Sequence, residues 1–87
     1  MANLWTGTVD TQGEYENLAT LASISFTADT TYTIQSLTGE YFLREGETGD
    51  GFIIQPQEKV QYTAGVDDLY IKTLPIYSGR VKINIAD

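Results

Sequence analysis

Between Arg80 and Ala86 the chain reads Arg-Val-Lys-Ile-Asn-Ile-Ala, and aliphatic and polar residues alternate without a break. Successive side chains of an extended strand point to opposite faces, so Val81, Ile83 and Ile85 share one face while Arg80, Lys82 and Asn84 share the other. A helix would scatter these residues around its circumference. The segment is therefore a strand with one dry and one wet face. Such a strand needs partners beside it and a second layer above its apolar side.

The rest of the chain supplies both. Thr, Ile, Val, Tyr and Phe recur in short runs separated by Gly, Asp and Pro, which is the composition of a pleated, half-buried surface. A strand beginning near Ser23 or Ile24 and ending at Phe26-Thr27-Ala28 is expected to turn at Asp29-Thr30 and form a hairpin with Thr31–Gln35. Tyr41–Arg44 follows the turn at Thr38-Gly39-Glu40. Phe52–Gln55 is a continuous apolar run closed by Pro56, which cannot donate to a ladder. Lys59–Thr63 and Leu69–Thr73 flank a turn at Ala64–Asp68 whose aspartates suit Asx bonding. A loop around Pro75 and Ser78-Gly79 leads into the final strand. These runs predict one domain spanning residues 1–87. Its fold class is all-β, a small antiparallel β-sandwich or barrel of about seven short strands.

Glu14–Ala22 is ambiguous. Leu18, Leu21 and Ala22 stand at the i, i+3, i+4 spacing of a short helix, but Thr20, Ser23 and Ile24 favour extended structure. Strand or irregular structure is the preferred reading.

The absences narrow the chemistry. The chain contains neither His nor Cys, so a Ser-His-Asp or Cys-His triad cannot be built, and carboxylates alone are a poor ligand set for zinc. Its serines lie outside any G-x-S-x-G context, and no Gly-rich loop is followed by Lys and then Ser or Thr. No catalytic residue, cofactor-binding residue or resident metal is expected, and the reading is non-enzymatic. Glu45, Glu47 and Asp50 in a Gly-rich loop, with Asp67-Asp68 in a turn, offer hard oxygen ligands of the kind calcium takes. Neither run has the spacing of a calcium loop, so solvated loops are the favoured interpretation.

Net charge is −7, from twelve acidic and five basic residues. No Lys or Arg precedes Arg44. A surface of this sign repels phosphate backbones and anionic bilayers, so nucleic-acid and membrane partners are not expected. No apolar run reaches the length of a membrane-spanning helix. The first residues carry neither a basic nor an apolar targeting region, so no secretory signal is read.

Aromatic residues make up 11% of the chain. Phe26, Tyr32 and Tyr62 lie in alternating runs and are expected in the core. Trp5, in a short N-terminal segment, Tyr41 in its strand and Tyr77 in the Pro-containing loop are the candidate contact residues. They would serve a protein interface or a sugar-stacking face, with local packing over the end of the sandwich an equal alternative for Trp5 and Tyr77.

The stretches Phe26–Gln35, Gln61–Thr73 and Val81–Ala86 together resemble small acidic β-domains encoded in the structural gene clusters of tailed bacteriophages and prophages. The resemblance carries no catalytic motif. It implies a structural or adhesive part of a virion: capsid decoration, head fibre or tail component. Such parts commonly form homo-oligomers, often trimers. Expected partners are further copies of the chain and other capsid or tail proteins, with host glycans for an adhesin. The expected location is the virion, assembled in the host bacterial cytoplasm. A carbohydrate-binding module using exposed aromatics is the alternative.

Overall fold

The computed structural model describes residues 3–47, 51–77 and 79–87. Asp50 and Ser78, assigned to loops from sequence, lie outside the described residues. The strands are β1 (Asn3–Val9), β2 (Glu16–Asn17), β3 (Thr31–Thr38), β4 (Tyr41–Glu45), β5 (Phe52–Ile54), β6 (Lys59–Thr63), β7 (Leu69–Thr73) and β8 (Val81–Ala86). A short helix α1 (Leu18–Ala22) precedes β3, and a 3-10 turn (Pro75–Tyr77) precedes β8.

The strands form two four-stranded antiparallel sheets, ordered β1-β8-β3-β6 and β2-β7-β4-β5. The all-β sandwich is thus the fold the chain adopts. Along the chain, every strand-to-strand connection crosses between the sheets except the β4–β5 hairpin. The alternation in β8 works as its pattern requires. Val81, Ile83 and Ile85 are fully buried, and β1 and β3 pair on either side. Ile34 of β3 lies in the same layer, opposed by Tyr41 and Leu43 of β4 and Leu69 and Ile71 of β7.

Three expectations change. The hairpin between Ser23–Ala28 and Thr31–Gln35 does not form, because β6 and β8 occupy both edges of β3. The preceding segment is irregular and is pinned by contacts of its own. The Thr27 amide donates to the Tyr32 hydroxyl (2.6 Å), and Asp29 N–H to the Ala64 carbonyl (2.9 Å). The Phe26 ring meets Tyr32 and Tyr62 edge-on, at centroid distances of 4.9 and 5.5 Å. These three aromatics do pack in or against the core, as expected.

Second, residues 18–22 are helical. Asn17 caps α1 by accepting from Thr20 N–H (3.2 Å), and Ser23 closes it in the left-handed region at φ 56°. Burial of Leu18 and Ala22 outweighs the extended preference of their neighbours. Third, β1 is a full strand that the strand list from sequence lacks. Trp5, Gly7 and Val9 face inward in register with Ile85, Ile83 and Val81. Gly7 interrupts the apolar pattern because the Trp5 ring lies across it, where a Cβ would clash.

One buried polar clamp ties the sheets together. The Thr11 and Thr73 amides each donate to the other residue's hydroxyl at 2.8 Å, and Gly13 N–H donates to the Thr73 carbonyl at 2.7 Å. The clamp fastens the segment after β1 to the end of β7. Thr73→Val keeps the side-chain volume but leaves the buried Thr11 N–H without its acceptor. The expected loss is about 1–3 kcal/mol of stability, measured by urea unfolding; an unchanged midpoint would refute the clamp.

Tyr41 is also fully buried, and its hydroxyl has no hydrogen-bond partner among the described residues. Burial, reinforced by Glu58, pushes its pKa well above the ordinary 10.0. A group whose folded pKa is raised contributes stability that is intact below its unfolded pKa and is lost as pH rises towards the folded value. Unfolding should therefore set in above about pH 10, read by phenolate absorbance together with circular dichroism. Tyr41→Phe should move that transition to higher pH and be neutral or stabilising at pH 7.

Candidate contact surface

Strands β4 and β7 have two lives. Their inward residues, Tyr41, Leu43, Leu69, Ile71 and Thr73, are buried, while Phe42, Arg44, Tyr70 and Lys72 are half-buried on the outer face. The register sets Phe42 opposite Lys72 and Arg44 opposite Tyr70. Tyr15, just before β2, lies across this face. The Arg44 guanidinium stands 4.0 Å from the Tyr15 ring centroid and the Lys72 ammonium 4.9 Å from it. Lys72 also lies 4.9 Å from the Phe42 ring, and Arg44 5.8 Å from Tyr70.

The result is a continuous row: Tyr70, Arg44, Tyr15, Lys72, Phe42. Each cation sits between two rings, an arrangement worth about 0.5–1 kcal/mol per contact at exposed sites. The row is held at one end by Arg44 Nε donating to the Gly46 carbonyl (3.1 Å) and by the Tyr70 hydroxyl donating to Glu47 (3.1 Å). Partial desolvation, with the Glu47 bond adding to it, raises the Tyr70 pKa, so the phenol stays neutral. The Tyr15 hydroxyl reaches Gly51, where any Cβ would overlap it. Glycine is required there by close approach.

The apolar surface continues onto β5. Ile53 pairs with Phe42 on the outer face and is 40% exposed, while Phe52, 49% exposed, pairs with Leu43 on the inward side of this edge. β5 is three residues long and forms the edge of its sheet. An edge strand presents backbone groups that no neighbour in its own sheet satisfies.

Charge is partitioned between strands and loops. Arg44, Lys59, Lys72 and Lys82 lie in strands, whereas among the described acidic residues only Glu16 and Glu45 do. The remaining described carboxylates occupy turns and loops. The two acidic clusters noted in the sequence do meet, since Gly46 N–H donates to the Asp68 carbonyl (2.8 Å). Glu47, Asp67 and Asp68 line one open cavity. Among the described residues, however, no three carboxylates converge in a way that could hold a metal ion.

Of the three contact residues proposed from sequence, Trp5 and Tyr77 take the local-packing alternative and Tyr41 departs from expectation. Tyr41 is removed from the list, because it is fully buried in the core. Trp5 is half-buried and turned inward against the core. Tyr77 is half-buried, and its hydroxyl donates to Glu40 (2.9 Å), which raises its pKa. None of the three belongs to the row on the outer face. The residues that form it were missed because the row is assembled by the register of β4 against β7 and by Tyr15 lying across them, segments far apart in sequence. No family model, no curated protein and no solved structure matches this chain.

Gly51→Ala is expected to displace Tyr15 from between Arg44 and Lys72. The measurement is the ring-current shift of the Lys72 side-chain methylenes by NMR. It should collapse towards the unstructured value in the variant, and an unchanged shift would show that Tyr15 does not depend on Gly51.

Proposed function

We propose that this domain is a non-enzymatic structural module that works by protein–protein contact, as capsid decoration, head fibre or tail component of a bacteriophage particle. The observation that carries the contact reading is the outer face of the β2-β7-β4-β5 sheet. There exposed Ile53, paired with Phe42, continues directly into the row of Phe42, Lys72, Tyr15, Arg44 and Tyr70. Aromatic residues and arginine are the types enriched at interface centres and hot spots. The charges in the row are Arg44 and Lys72, each already set against aromatic rings. The virion assignment adds the sequence resemblance described above.

A small core also profits from subunit burial, since a chain of this length buries only roughly two-thirds of its unfolded surface by itself. The expected state is a homo-oligomer. Light scattering across a concentration series should give a mass above the monomer for the native chain. Ile53→Lys, at an exposed position that costs the fold within about 0.5 kcal/mol, should shift it to monomer. A native chain that is monomeric throughout and shows no affinity for purified phage particles would overturn the proposal.

A further inference from the structure

The opposite face of the sandwich has a different chemistry. The strands β1, β8, β3 and β6 contain no Asp or Glu at all, in a chain with twelve acidic residues. They carry Lys59 and Lys82, and their outward positions are mostly Thr, Asn and Gln. The nearest carboxylates along these strands, Asp10, Glu58 and Asp87, each stand one residue beyond a strand end, past β1, before β6 and past β8.

The register arranges this face as a grid. Ala86, Thr33 and Gln61 form one row across β8, β3 and β6, and Asn84, Gln35 and Lys59 form the next. Ala86 and Thr33 are short, while the residues around them are long. The difference leaves a cavity of about 430 Å³ across the three strands. Such a volume falls within the range of small-ligand clefts, about 300–1,000 Å³.

Other polar side chains of this face, Asn84 at the cavity's border included, satisfy one another. Thr31 and Thr63 share a hydrogen bond of 2.8 Å, and Asn84 donates to Thr6 at 2.7 Å. The side chains of Thr33, Gln35, Gln61 and Lys59 make no such bond among the described residues. Two carboxamides, a hydroxyl and an ammonium therefore border one concavity with their donors and acceptors uncommitted. Carboxamides pair with vicinal hydroxyl groups because each offers a donor and an acceptor side by side. The ammonium adds a preference for negative charge. Phosphate recognition favours bidentate arginine or clustered backbone N–H groups, and neither is seen among the lining side chains.

We propose that this groove binds a carboxylate-bearing carbohydrate, with Gln35 and Gln61 engaging sugar hydroxyls and Lys59 the carboxylate. The site shares no residue with the contact surface on the other sheet, so either can fail without the other.

The test is titration of the isotopically labelled full chain by NMR with three probes: a uronic-acid tetrasaccharide, a neutral glucose tetrasaccharide and a glutamate-rich tetrapeptide. The side-chain amide signals of Gln35 and Gln61 should shift with the uronic-acid probe and less with the neutral one. Lys59→Gln should weaken the acidic probe about 5-fold, as expected for a part-exposed charge pair, and leave the neutral one unchanged. Gln61→Ala, at an exposed position, should weaken both. The proposal is overturned by no shift with the uronic-acid probe, by shifts centred on Tyr15 or Trp5 instead, or by tighter binding of the peptide.

Discussion

The layer between the sheets is the constraint on which everything else rests. Since every connection but β4–β5 passes from one sheet to the other, almost no strand is paired with its neighbour in sequence. Local hairpins cannot hold the fold together piecemeal. What holds it is the burial of Val81, Ile83, Ile85 and Ile34 from one sheet against Tyr41, Leu43, Leu69 and Ile71 from the other. Full burial of each aliphatic side chain contributes about 1.5–3 kcal/mol, and the sum must offset the ordering of loops that close over long separations. A chain of this topology is expected to fold slowly for its size.

The same crossings explain where polar groups are buried. At one end the Thr11–Thr73 clamp satisfies backbone donors where the chain passes from β1 towards β2. At the β3–β4 corner, Ser36 is fully buried and its hydroxyl donates to the Gly39 carbonyl at 2.5 Å. The register of β3 against β8 shifts between Ser36 and Thr38, and a bulge of this kind bends a strand towards the other sheet. Polar residues in this core therefore mark places where the backbone changes layer.

The two outer faces diverge chemically although one core supports both. One is aromatic and cationic and continues into an exposed apolar edge. The other is rich in hydroxyl and carboxamide groups and free of strand carboxylates. Acidic residues gathered in the loops leave both faces available for contact while keeping the chain strongly negative overall.

Period two in Arg80–Ala86 determined a strand, its buried side and the need for a second layer, because side-chain direction in an extended chain is a local property. The runs at Lys59–Thr63 and Leu69–Thr73 were legible for the same reason, and zero His and zero Cys ruled out triad chemistry without any coordinates. Tertiary structure alone decided the partners. The segment before Asp29 lost its place beside β3 to β6 and β8, residues 18–22 became a helix because the core took Leu18 and Ala22, and β1 lay hidden behind Gly7. Both candidate sites are products of register: Phe42 meets Lys72, Arg44 meets Tyr70, and Gln35 stands between Asn84 and Lys59. Those pairs are far apart in sequence, and only the choice of which strands lie side by side, made by the shared core, brings them together.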